Sequence, residues 1–430
     1  MAHHPILPCN GQLGSAMAEG PSSQTRLTRR ARESRAPKAE ERAPKRRRSR
    51  EVPLEEAPRP DDEHGHLTFR EGDLLTQHLR ILDLLGTGTF GQVLHCRSAS
   101  SDCAVKIIRS VPKYRIAAEQ EISALQKVSG CAHCVQLREH FKLFGHFCLV
   151  FDKLGPSLYD VLKRRGFAGF DLSFVRDVSR QLLHAVSLVH SCNLAHTDVK
   201  VENVLLLKGD ERSERRVQLI DFGSTADTCR FHRSLVSTRH YRAPEVVLGI
   251  PWNSKIDCWS CGTLFVELLH GYALFHTHDP LEHLLMMERA LGPIPRHIKL
   301  KSAEMSKPNG LLNASGELEC QTASNKSQNA VKQLHPLNAY VHSRVNGPEA
   351  DAFYNFLRGL LTYDPSQRLS AEAAMEQRFV KQGGDDKSSV EERKEEGEEE
   401  QQWLRRRMRR QRRSEGREKH ERRGRRRSGG

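Results

Sequence analysis

Long apolar runs are missing from this sequence of 430 residues. No stretch reaches the roughly 18 apolar residues of a membrane span, so no spanning helix is expected. The opening MAHHPILPCN lacks a charged start followed by an apolar core, so no secretory signal is expected either. Both absences point to the cell interior. Internal repeats are absent as well, which argues against a solenoid or propeller. Eleven cysteines are present, but scattered through a long intracellular domain they read as reduced core thiols rather than a disulfide framework. Two CxxC spacings occur, Cys131/Cys134 and Cys258/Cys261. Neither is joined by a further Cys or His pair in zinc-finger order, so no zinc site is expected.

Large apolar residues are also scarce at both ends. Residues 1–66 are mostly Arg, Lys, Glu, Pro and Ser, a composition that cannot bury enough surface to offset the entropy of ordering. Residues 382–430 turn acidic (EERKEEGEEE, 391–400) and then strongly basic. Both are expected to be disordered arms. They also hold much of the formal charge of +14, which therefore describes the arms more than the fold. The run PKRRRSR (44–50) fits a nuclear import signal or a nucleic-acid patch, or a merely solvated arm. The arms lack the interleaved aromatics that stack on bases, so any nucleic-acid contact there is expected to be accessory.

Between them, residues 67–381 alternate apolar segments with turn signals and are long enough for two lobes of core. The segment ILDLLGTGTFGQVLHC (81–96) carries Gly86, Gly88 and Gly91 in a G-x-G-x-x-G-x-V pattern ending at Val93. A dinucleotide-binding turn would open into a helix. Here an apolar strand continues, so a strand–loop–strand hairpin is expected, with Thr87, Thr89 and Phe90 completing a loop over nucleotide phosphates. The next strand, CAVKIIR (103–109), holds Ala104 and a single Lys106 suited to α- and β-phosphates. A helix follows, with apolar spacing at Ile116, Ile122, Leu125 and Val128. It offers Glu121, or failing that Glu119, to orient Lys106. The strand FCLVFDKLG then reaches a break at Gly155-Pro156. Phe151 is placed at the back of an adenine pocket there, with Asp152 to Leu154 supplying backbone groups.

An amphipathic helix, 175–196, delivers the chain to LAHTDVKVEN (194–203). Phosphoryl transfer asks mainly for positioning and charge neutralisation. Asp198 can accept a hydroxyl proton, Lys200 can neutralise the moving phosphoryl group, and Asn203 offers a hard oxygen to a metal. The apolar run from Val204, including Leu205, sets these at a strand end. VQLIDFGS (217–224) then brings Asp221 as a second metal ligand.

In this order the motifs resemble a eukaryotic-type protein kinase from about residue 79 to 379. That implies an α+β bilobal fold: a β-rich N-lobe (about 67–152), a mainly helical C-lobe (about 156–381), and ATP with Mg2+ as cofactors. Ala243-Pro244-Glu245 closes the activation segment, Arg368 is the expected partner of Glu245, and Asp257 is expected to brace the catalytic loop. Ser237 and Thr238 are expected activation-segment phosphorylation sites. One position departs from H-R-D: Thr197 stands where arginine would pair with an activation-loop phosphate.

The string EHLLMMERALG (282–292) decides the family expectation, although Met286 and Met287 as side chains are expected simply to pack in a core. It resembles the E-H-L-A-M-M-E-R motif of the CDC-like (LAMMER) kinases, which also carry H-T-D in the catalytic loop. The resemblance implies a nuclear dual-specificity kinase that autophosphorylates on Ser, Thr and Tyr and phosphorylates Arg/Ser-rich proteins such as splicing factors. Kinases of this type directed at chromosome segregation are the alternative, and a catalytically dead scaffold would require loss of Lys106, Asp198, Asn203 or Asp221, all of which are present. Leu285 and Val201 replace the family's Ala and Pro. The stretch between Asn203 and Asp221 is short, and 301–333 is polar and unlike the family's insert. Ser49 and Ser428, flanked by arginines, resemble internal substrates.

Overall fold

A computed structural model describes residues 61–99, 101–208, 215–305, 311–313, 315–319 and 323–381. Ser49, Ser428, the basic run 44–50 and the tail 382–430 lie outside the described residues, as do residues 209–214 and parts of 301–333.

The upper lobe is a six-stranded antiparallel sheet of β1 (Leu74–Thr76), β2 (Leu79–Thr87), β3 (Gly91–Arg97), β4 (Asp102–Ile108), β5 (Leu137–Leu143) and β6 (His146–Asp152), in the order β1-β2-β3-β4-β6-β5. Strand alternation assigns its faces. Along β4, Cys103, Val105 and Ile107 enter a core with Leu94, Phe141 and Val150. Ala104 and Lys106 therefore point the other way, toward the lower lobe. Val93 lies opposite Lys106 on β3, and Phe151 lies opposite Ala104 on β6. Asp61 reaches back to this sheet, its carboxylate 2.9 Å from Nε2 of the buried His146.

Helix α1 (Pro112–Lys127) connects β4 to β5 and starts with a proline in its first turn. Tyr114, Ala118, Glu121, Ile122 and Leu125 form its buried stripe. Ile116, expected on that stripe, is 64% exposed; it sits two residues from Tyr114 and Ala118, on the opposite side of the turn.

The lower lobe begins with α2 (Leu158–Arg164), whose first turn is fixed by a capping box between Ser157 and Asp160. Helix α3 (Leu172–Ser191) is capped by Asp171, which accepts from Phe174 N at 2.8 Å. The expected helix ran on to residue 196. Instead the chain reverses at Asn193 (φ 57°), a residue that tolerates the left-handed region, and β7 (Leu194–Ala195) follows. The short strands β8 (Val204–Leu206) and β9 (Val217–Leu219) pair with each other, and β10 (Ala226–Asp227) pairs with β7.

After α4 (Pro244–Val247), helix α5 (Lys255–His270) is buried from Ile256 to His270 and forms the axis of the lobe. Around it lie α6 (Pro280–Leu291), α7 (Arg296–Met305), α8 (Asn325–Gln333), α9 (Leu337–His342), α10 (Pro348–Leu360), α11 (Ala371–Met375) and α12 (Arg378–Lys381). Met286 and Met287 of α6 pack in the core, as expected. No described helix is long and apolar enough to cross a membrane.

Candidate active site

The site forms where three chain segments meet beneath the upper sheet. Lys106 Nζ lies 2.6 Å from Glu121 Oε1 of α1 and 2.7 Å from Asp221 Oδ1. Glu121 is buried, whereas Glu119, the other candidate, faces solvent. Burial opposes each charge, but pairing outweighs it for two of them. The Lys106 ammonium is held above its ordinary range and the Asp221 carboxyl below its own. Asp221 adopts the left-handed region (φ 61°, ψ 74°), turning its carboxylate toward Lys106.

The three loop glycines prove unequal. A β-carbon on Gly86 or Gly88 would meet nothing within 4 Å, but on Gly91 it would lie 1.9 Å from the carbonyl oxygen of Ile107. Gly91 is therefore required by strand packing, and Gly86 and Gly88 keep the loop surface open. Between Gly88 and Gly91, Thr89 and Phe90 form the tip, closed by Gly88 N donating to Gly91 O at 2.8 Å. Phe90 packs edge-on against Tyr114 of α1, with ring centroids 5.8 Å apart. Val93, Ala104, Leu154 and Leu205 are half-buried and Phe151 is buried. Gly155 N donates to Leu206 O at 2.8 Å, joining the segment after Asp152 to β8.

Below the cleft, Asp257 of α5 organises the catalytic loop from beneath. Its carboxylate accepts from His196 N at 2.7 Å, from Thr197 N at 2.8 Å and meets His190 Nε2 at 2.9 Å. Asp198 then stands with Lys200 Nζ 2.9 Å from Oδ2 and the Thr238 hydroxyl donating to Oδ1 at 2.6 Å. Burial pushes the Asp198 carboxyl up; Lys200 and Thr238 outweigh it and hold the group below the usual carboxylate range. Asp198 is thus an ionised acceptor with two partners already oriented.

Asn203 donates Nδ2 to Asp198 O at 2.8 Å and to Asp198 Oδ2 at 3.2 Å. Both bonds use the amide nitrogen, which leaves the amide oxygen as the donor atom toward a cation. No group of three or more His, Cys, Asp or Glu placed to hold a metal ion occurs among the described residues. Asn203 and Asp221 therefore fit a hard cation that brings its own waters and phosphates, not a protein-built cage.

Thr238 lies inside this network: its hydroxyl donates to Asp198 and accepts from Lys200 Nζ at 3.1 Å. Ser237 (φ 66°) has a buried Oγ with no hydrogen-bond partner among the described residues. Glu245 and Arg368 form the expected pair, bidentate at 2.7 and 2.8 Å and buried on both sides. The motif spacings gave no hint of the Thr238 hydroxyl bond to Asp198, nor of Tyr241 donating to the buried Glu267 at 2.6 Å.

Residues 79–380 match the protein kinase domain family. The serine/threonine-protein kinase AFC3 of Arabidopsis thaliana is 43% identical over 348 residues, covering 75% of this chain and 87% of its own length. The human dual specificity protein kinase CLK4 is 36% identical, covering 74% of this chain and 69% of its own length. The chain belongs to the CDC-like (LAMMER) family of dual-specificity protein kinases. A crystal structure of another kinase domain superimposes with a TM-score of 0.67 at 30% identity, covering 74% of this chain and all of that one. This LAMMER kinase accordingly has the bilobal α+β fold, and its family implies ATP, a divalent cation and protein substrates.

Proposed function

We propose that the protein transfers the γ-phosphoryl group of Mg2+-bound ATP to serine in Arg/Ser-rich nuclear proteins such as splicing factors, and to its own Ser, Thr and Tyr residues. The observation that carries the chemistry is the closed Lys106–Glu121 pair with Asp221 on the same ammonium, at 2.6 and 2.7 Å. A divalent ion, when bound, neutralises charge on the β- and γ-phosphates. Lys106, held by Glu121, binds the α- and β-phosphates. Gly86 and Gly88 let backbone N–H groups approach the anion, and the backbone of residues 152–154 with Phe151, Val93, Ala104, Leu154 and Leu205 holds the base. Asn203 Oδ1 and the Asp221 carboxylate hold the cation. Asp198 accepts the proton of the substrate hydroxyl, and Lys200 neutralises the transferred group.

The substrate class is supported by charge around Asp198. Glu202 is exposed, with Asp198, Asp160 and Lys200 near enough to act on its carboxyl, which burial pushes up. A guanidinium flanking the acceptor serine supplies this acidic surface with a planar cation. Nuclear localisation is supported by the basic run 44–50. The test compares an Arg/Ser-repeat peptide with its Lys/Ser counterpart. Glu202→Gln is expected to raise KM for the Arg peptide about tenfold, the loss of one charge-assisted contact of about 1.5 kcal/mol. Equal KM values in the wild type for both peptides overturn the arginine reading.

A further inference from the structure

The turn joining α1 to β5 contains Cys131-Ala132-His133-Cys134. Cys134 N donates to Cys131 O at 3.2 Å, closing a turn whose end Cα atoms lie within about 7 Å. A disulfide requires a Cα separation of about 4.4–6.8 Å. Cys131 Sγ lies 4.0 Å from Nδ1 of His184 on α3, and the His184 ring packs edge-on against His133. Ala132 is exposed and His184 half-buried, so the pair lies directly beneath the surface.

The two thiols differ in the way an attacking and a resolving cysteine differ. The neighbouring Cys134 thiol holds the Cys131 thiol down to about 5, with His184 helping to outweigh burial. Cys131 in turn, with burial, pushes Cys134 up. The second CxxC, on α5, has no such asymmetry: burial pushes both Cys258 and Cys261 up. Cys96 and Cys148 in the upper sheet are raised for the same reason. The turn is also tied to the cleft, since Val135 N donates to Leu219 O at 3.0 Å and Leu219 N to His133 O at 2.9 Å, two residues before Asp221.

We propose that Cys131 and Cys134 form an oxidisable dithiol that a peroxide converts to an intramolecular disulfide. The Cys131 thiolate attacks hydrogen peroxide: an S–O bond forms, the O–O bond breaks, and hydroxide leaves and takes up a proton as water. The sulfenic acid at Cys131 is then attacked by the Cys134 sulfur. The S–S bond forms, the S–O bond breaks, and the departing hydroxide leaves as water with the Cys134 proton. Two thiols are oxidised by two electrons in total, and one peroxide is reduced to two waters.

Tryptic peptide 128–138 carries both sulfurs and no other cysteine, which makes the test direct. The full chain is treated with hydrogen peroxide, alkylated, digested and weighed, with and without dithiothreitol. The expected peptide escapes alkylation, is two hydrogens lighter, and regains both alkylation sites on reduction. In Cys134→Ser, Cys131 is expected to be trapped as a sulfenic acid that reacts with dimedone, and His184→Asn is expected to slow peroxide oxidation severalfold. A wild-type peptide 128–138 that is fully alkylated after peroxide treatment overturns the proposal. Neither readout depends on phosphoryl transfer.

Discussion

Thr197 donates its hydroxyl to the carbonyl oxygen of Ser224 at 2.7 Å while its own N–H is held by Asp257. The threonine that replaces the expected arginine therefore ties the catalytic loop to the segment following Asp221. Thr197 does so at φ 68° and almost fully buried, a conformation costly for a β-branched residue. Its anchoring partners hold it there.

Thr197→Val keeps the shape and removes the bond. It is expected to lower unfolding stability by about 1 kcal/mol, read as a shifted denaturant midpoint with an unchanged slope. The phosphoryl-transfer rate is expected to fall as well, because Asp198 is the next residue. A variant of wild-type stability and rate would show that the Thr197–Ser224 bond carries nothing.

The glycine loop gives a paired prediction. Gly91→Ala drives a methyl group into the Ile107 carbonyl and is expected to cost about 1–3 kcal/mol, the usual penalty of overpacking. Gly86→Ala meets open space, so it is expected to fold normally and to raise KM for ATP. Thermal unfolding and steady-state kinetics on both variants separate strand packing from phosphate access.

Glu267 predicts a pH dependence of stability. Burial raises its carboxyl from the ordinary glutamate range, about 4.3, to about 7, so between those values the folded state binds more protons than the unfolded state. Stability is therefore expected to fall as pH rises through this window. Glu267→Gln keeps an acceptor for Tyr241 and removes the charge. It is expected to be more stable than wild type at pH 8, by at most about 3 kcal/mol, and close to wild type at pH 4. Unfolding curves of the two proteins at both pH values check the sign.

Much of the site was legible because its chemistry fixes residue types at fixed spacing. Lys106, Asp198, Asn203 and Asp221 each announced themselves by motif, and the structure brings all four to one cleft. Glu121 over Glu119 was a weaker inference that helix geometry settles, since only Glu121 lies on the buried stripe with Ile122 and Leu125. What stayed hidden was tertiary. The Thr238 hydroxyl reaches Asp198 across 40 residues, and Gly91 is needed by a neighbouring strand; no local pattern records either. Ile116 misled because an apolar residue can occupy an exposed helix face, and the end of α3 was misplaced because apolar residues continue past the Asn193 reversal into a strand.

The central claim is that Asp198 serves phosphoryl transfer to arginine-flanked serines, and one measurement tests it most directly. Radiolabelled phosphate transfer from Mg2+-ATP is followed to an Arg/Ser-repeat peptide and to a generic basic protein, for wild type and Asp198→Asn. Preferential labelling of the peptide, with the variant slower by roughly 10² to 10⁴, is the predicted result. Labelling of the generic protein alone would contradict the substrate assignment, and a variant as fast as wild type would contradict the role of Asp198.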